Sequence, residues 1–105
     1  MLLTLKTKSD ILIRLLGDND SGNIGNTLDI NTDQIQYIQR VNDNQEKLNY
    51  ICLFMGQRTV IITDEDQNTC YDLYFNLKKA IRKKYDYLQV EDNGTISLYY
   101  NFHMK

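Results

Sequence analysis

Residues 48–63 read LNYICLFMGQRTVIIT, two apolar runs on either side of a Gly56-Gln57 turn. In the first run Leu48, Tyr50, Cys52 and Phe54 take the even positions, and Ile51, Leu53 and Met55 the odd ones. Successive side chains of a strand point to opposite faces, so this run is a strand apolar on both. Residues 58–63 (RTVIIT) return with the same character. A strand of this kind is expected to be central and covered on two sides. The pair therefore predicts a tight hairpin in the middle of a sheet.

Immediately downstream, Asp64-Glu65-Asp66-Gln67 reads as a helix start. Asp64 with Gln67 fits a variant of the capping box, and the carboxylates suit the positive end of a helix dipole. The cluster is read as a cap rather than as a set of metal ligands. Residues 68–85 then read NTCYDLYFNLKKAIRKKY. Cys70, Leu73, Tyr74, Leu77 and Ile81 recur at helical spacing and form an apolar stripe. Lys78, Lys79, Arg82 and Lys83 fall on the opposite side, with Tyr71 and Phe75 among them, while Lys84 marks the end. A helix over residues 65–84 is expected. Beyond it, residues 87–91 and 95–102 flank Asp92-Asn93-Gly94, a hairpin signal. In the last run Ile96, Leu98, Tyr100 and Phe102 alternate with polar positions, as on a sheet with one wet face.

Upstream, residues 34–41 read as a strand and 42–47 as a polar loop. Residues 2–7 and 10–16 read as two short strands, although SDILIRLLG (residues 9–17) also suits a short helix between Ser9 and Gly17. Residues 17–27 (GDNDSGNIGNT) read as a polar, Gly-rich loop. Asp18 and Asp20 resemble a calcium loop only in part, because Gly22 stands where a third oxygen ligand is needed.

The expected fold class is α+β, a single domain over residues 1–105. It has a twisted, mainly antiparallel sheet of about six to seven short strands. One amphipathic helix stands between the central hairpin and a C-terminal hairpin. One helix covers one sheet face, so either the sheet curls into a small barrel or a second copy supplies the missing layer.

Composition narrows the function classes. Of the 105 residues 42% are apolar and 25% charged, with a net charge of -2. Five of the 12 basic residues lie within 78–84, leaving seven against 14 acidic ones elsewhere. This is an acidic body with one basic patch, and a patch steers partners more than net charge does. Cys52 and Cys70 form no C-x-x-C pair and have no histidine nearby in sequence, which suits two reduced, buried thiols. No apolar run approaches the ~18 residues that span a bilayer. The first residues lack the order of a signal peptide, so a cytoplasmic protein without a membrane partner is expected. Abundant Asn with Lys, Ile and Tyr, and no Pro, suggests an AT-rich genome, bacterial or phage.

Catalytic chemistry has little to work with. The single histidine, His103, lies three residues from the end of the chain, a poor place for a general base. Gly22-Asn23-Ile24-Gly25 lacks the further glycines and the lysine of a phosphate loop, and two Cys with one His are too few for zinc. No enzymatic activity, catalytic residue, metal or cofactor is expected. Two readings of the helix remain. Tyr71 and Phe75, aromatics on a solvent-facing side, ask for a protein partner, with a homo-oligomer as the first choice. Alternatively Lys78, Lys79, Arg82 and Lys83 neutralise phosphates while Tyr71 and Phe75 stack on bases, giving a nucleic-acid-binding domain.

Residues 28–39 (LDINTDQIQYIQ) resemble a segment of the small flagellar FlbD-like proteins. That pattern runs hydrophobic-Asn-x-Asp-x-Ile-x-x-Ile-Glu, then polar gap, strand, Gly turn, strand and helix. Gly56, residues 60–63 and the helix follow here in that order. The resemblance covers residues 1–82 and implies a small β-rich module without enzymatic activity. The layout is also similar to LytTR DNA-binding domains, with Asp33-Gln34-Ile35-Gln36-Tyr37-Ile38 one residue longer than their segment. Tyr87-Leu88-Gln89-Val90 stands where a His-Arg-Ser run follows their helix, so no DNA-contact residue transfers.

Overall fold

The central hairpin forms where its two runs predict it. Strands β6 (Leu48–Met55) and β7 (Arg58–Asp64) pair in register from Asn49 opposite Asp64 to Met55 opposite Arg58. Gly56 makes the turn at φ +72°, a conformation that favours glycine. The computed structural model describes residues 1–17, 21–43, 45, 48–64 and 66–101, with the side chains of 21–24, 43 and 64 left aside. Among these residues the remaining strands are β1 (Leu2–Lys6), β2 (Leu12–Leu16), β3 (Ser21–Gly25), β4 (Thr27–Asn31), β5 (Tyr37–Asp43), β8 (Tyr87–Val90) and β9 (Ile96–Tyr99). Helix α1 spans Gln67–Lys83.

The fold is α+β, with α1 between the central and C-terminal hairpins. The strands do not make one sheet, however. They divide into a four-stranded sheet, β4-β1-β8-β9, and a five-stranded sheet, β3-β2-β7-β6-β5. All pairs are antiparallel except β1 with β8, where Leu5 lies opposite Leu88.

The division happens within one ribbon. β1 pairs with β4 up to Lys6 opposite Thr27, and β2 pairs with β3 from Ile13 opposite Gly25. The same two stretches of chain thus leave one sheet and enter the other. Residues 7–11 on one stretch and Asn26 on the other lie outside the strands there, and the Asn26 side chain supplies hydrogen bonds in place of the ladder. Its Nδ2 donates to the carbonyls of Lys8 at 2.8 Å and Ile11 at 3.0 Å, and lies 3.1 Å from Thr7 Oγ1. The buried Thr7 hydroxyl donates to the Ile11 carbonyl at 2.9 Å, and the Thr7 amide to the Asn26 carbonyl at 2.7 Å.

Both sheets and the helix share one core. Leu3, Leu5, Ile30, Leu88 and Val90 come from the first sheet, and Ile13, Ile51, Leu53, Val60 and Ile62 from the second. Cys70, Leu73, Leu77 and Ala80 of α1 complete it, the helix lying against β5, β6 and β7 on one side and β8 and β9 on the other.

Several local expectations change. Residues 21–25 form β3 rather than loop, because pairing with β2 satisfies a backbone whose side chains have little strand preference. The helical alternative for residues 9–17 loses to β2, which is paired on both sides. The expected strand at 34–41 starts later, since Thr32–Gln34 forms a 3-10 turn that Asn31 caps through the Asp33 amide at 3.1 Å. The helix cap is Asp66, not Asp64 with Gln67. Its carboxylate accepts from the Asn68 amide at 3.0 Å and the Thr69 hydroxyl at 2.9 Å, while Asp64 ends β7. The last strand stops at Tyr99. The hairpin before it is a three-residue loop, Asp92-Asn93-Gly94, with Gly94 at φ +88° and the Glu91 amide bonded to the Thr95 carbonyl. Asp18, Asp20, Glu65, Phe102 and His103 lie outside the described residues.

Two stability predictions follow from these polar contacts. Asn26→Ala removes one of two donors from each of the Lys8 and Ile11 carbonyls, which keep the Ile11 amide and the Thr7 hydroxyl, and should cost about 1–3 kcal/mol for the hydrogen bonds lost. Asn26→Asp, which presents an acceptor to acceptors, should cost no less. Urea unfolding checks both, and a shift under ~0.5 kcal/mol for Asn26→Ala would remove the corner from the account. At the helix start, the Thr69 hydroxyl and the Asn68 amide hold the Asp66 carboxyl below the usual carboxylate range. A lowered folded-state pKa gives stability that is present above the unfolded-state value and lost as pH falls through the folded one. Asp66→Ala should therefore cost about 1 kcal/mol at neutral pH. The gap to the wild type should narrow below about pH 4, and thermal melts across pH test it.

Candidate functional site

The buried side of α1 sets what its other side displays. Thr69, Cys70, Leu73, Leu77 and Ala80 are buried, so the positions between them turn outward. Both ends of the helix are pinned. Asp66 caps the first turn, and Lys84 closes the last at φ +60° with its amide on the Ala80 carbonyl. The Tyr100 hydroxyl donates to the Lys83 carbonyl at 3.0 Å, and its ring stacks on Tyr85 with centroids 4.0 Å apart. The helix therefore has one rotational setting.

In that setting Tyr71 and Phe75 are 44% and 47% exposed. Their rings meet edge to face at 4.7 Å, and Phe75 meets the half-buried Tyr74 at 5.7 Å. Two cations hold the group. The Arg40 guanidinium of β5 sits 4.8 Å from the Tyr71 centroid. Lys78 Nζ sits 5.1 Å from Tyr74 and 5.8 Å from Phe75. Cations over ring faces at such distances are attracted by the ring quadrupole. Arg40 was no part of the sequence reading, because its partner comes from another element.

Lys78, Lys79, Arg82 and Lys83 are all exposed, as expected. Lys79, Arg82 and Lys83 make no ion pair among the described residues. Arg82 and Lys83 also lie in the last turn, where the helix dipole favours cations.

A second apolar surface lies on the outer face of the five-stranded sheet. The odd face of β6, Asn49, Ile51 and Leu53, is buried in the core. The even face, Leu48, Tyr50, Cys52 and Phe54, is only half-buried, so among the described residues the central strand is fully covered on one side, not two. Register extends this face sideways. Tyr37, Phe54, Thr59 and Leu16 form one cross-strand row, and Val41, Tyr50, Thr63 and Leu12 another. Tyr37, 56% exposed, stacks on Phe54 at 4.1 Å. The signal was present in the doubly apolar 48–55 run, but pattern alone does not say which face stays open.

Little else in the described residues points to chemistry. A groove of about 280 Å³ between the sheets is lined mainly by Leu2, Leu15, Leu28, Met55 and Val60, with Arg58 at its margin. Cys70 is in the core and Cys52 on the outer sheet face, so the two thiols are separated by the sheet. Burial pushes the Cys52 thiol up. No group of three His, Cys, Asp or Glu among the described residues is placed to hold a metal ion. No helix among them is long and apolar enough to cross a membrane.

No family model, curated protein or solved structure matches this chain. The FlbD-like and LytTR-like patterns stand on the sequence.

A raised thiol pKa means less thiolate, the reactive form, at a given pH. Cys52 in the folded protein should thus react with a thiol reagent at pH 8 more slowly than in the denatured chain. Equal rates would show Cys52 open to solvent.

Proposed function

We propose that the protein is a non-enzymatic protein-interaction module, that it associates with a second copy of itself, and that it works in the cytoplasm of a bacterium or its phage. The observation that carries this reading is the Tyr71–Phe75 pair, half exposed on a helix whose other side is tightly packed. Contiguous exposed apolar patches mark interaction sites, and these two rings are in contact with each other. The outer sheet face around Tyr37 and Phe54 supports the same reading.

The predicted test uses Phe75→Asp. Phe75 lies outside the buried core cluster, so the fold should persist while self-association weakens at least about tenfold, roughly 1.4 kcal/mol. Light scattering reads the assembly and circular dichroism the fold. A wild-type monomer at high micromolar concentration would sink the proposal. A variant that melts would assign Phe75 to the fold instead.

The second reading is nucleic-acid binding, favoured by the exposed Lys79, Arg82 and Lys83 without acidic partners among the described residues. It ranks lower because Arg40 and Lys78 already occupy ring faces on which bases would stack. It requires that Lys79→Glu with Lys83→Glu abolish binding, and that affinity fall steeply with salt. Fluorescence anisotropy with single- and double-stranded oligonucleotides decides it.

A further inference from the structure

The two exposed aromatic groups share a border, the strand β5. Among the described residues β5 pairs only with β6, so it is an edge of the five-stranded sheet. Proteins usually blunt such edges with bulges, prolines, charges or a covering segment. The opposite edge follows that rule: β3 is a glycine-bearing strand, and its pairing with β2 shifts register at Ile13/Arg14. β5 does not. It runs seven residues, Tyr37–Asp43, in unbroken register with β6 and without proline. Its internal charge, Arg40, is turned onto Tyr71. Tyr37 stands on one face beside Phe54, and Arg40 with Tyr71 on the other.

We infer that β5 is the self-association site, pairing antiparallel with β5 of a second copy so that the two five-stranded sheets become continuous. This deepens the self-association reading and rests on it. Of the two registers centred nearest the middle of the strand, self-complementarity favours one. A two-fold axis perpendicular to the sheet must pass midway between one residue and its own copy, which then face each other across the seam. Centring on Arg40 sets two guanidinium groups opposite each other, which is destabilising. Centring on Gln39 sets Tyr37 opposite Val41 twice, an aromatic against a β-branched residue, and Ile38 opposite Arg40. Gln39 then meets Gln39, two amides able to hydrogen-bond each other. Both α1 helices fall on one side of the joined sheet, with their Tyr71 and Phe75 beside the seam.

Cysteine cross-linking tests the register. Directly opposite residues of an antiparallel pair have Cα atoms about 4.5–5.5 Å apart, within disulfide reach. Cys52 lies opposite Gln39 within the chain, so the test is made in a Cys52→Ala background. There Gln39→Cys should give a disulfide-linked dimer on oxidation, and Val41→Cys should stay unlinked. Light scattering of the unaltered protein runs alongside. A dimer in which Gln39→Cys does not link, or Val41→Cys links instead, overturns the inference and leaves self-association standing. A monomer at high micromolar concentration overturns both. Hydrogen exchange on the unaltered protein reads the same point without substitution. Protection of β5 amides should rise with concentration while that of β3 does not, and an unchanged β5 would refute the pairing.

Discussion

The structure depends on one crossing. A single ribbon, β1–β2 against β4–β3, leaves one sheet and enters another, and at the crossing backbone groups lose their ladder partners. Buried carbonyls without donors are costly, so the crossing exists only because something supplies them. Asn26 does so with one amide directed at the Lys8 and Ile11 carbonyls, assisted by the buried Thr7. Straighten that corner, and β4-β1-β8-β9 has no reason to face the central hairpin.

With the corner in place, the two sheets enclose a space that α1 fills. The helix touches β5, β6 and β7 below and β8 and β9 above, and its caps at Asp66 and Lys84 hold its position along that space. Core contacts at Cys70, Leu73, Leu77 and Ala80 hold its rotation. Tyr71 and Phe75 are outward as a consequence of that packing, not of any local preference. The same layering leaves the far side of the five-stranded sheet only half-buried among the described residues, because the helix and the facing sheet both pack on its other side.

Much of this was readable in advance. The 48–63 hairpin, the helix stripe and the turn at Gly94 follow from side-chain period and from glycine, both local properties. So does the exposure of Lys78, Lys79, Arg82 and Lys83, since the stripe defines its own opposite. What failed was non-local. β3 has a loop-like sequence, SGNIG, and is a strand because β2 lies beside it. The helix cap moved from Asp64 to Asp66 because β7 extended to claim Asp64. Arg40 joins the aromatic group on α1 from a strand some thirty residues away in sequence.

The sequence by itself determined the α+β class, the order of hairpin, helix and hairpin, and the unusual double apolarity of residues 48–55. Those depend on period and turn chemistry, which are written residue by residue. Only the tertiary structure decided that there are two sheets, that the odd face of β6 is inside, and that β5 is the last strand of its sheet among the described residues. Each of these depends on which distant segment satisfies a given backbone or covers a given face. Asn26 shows why: its role exists only once residues 7, 8 and 11 have been brought around it.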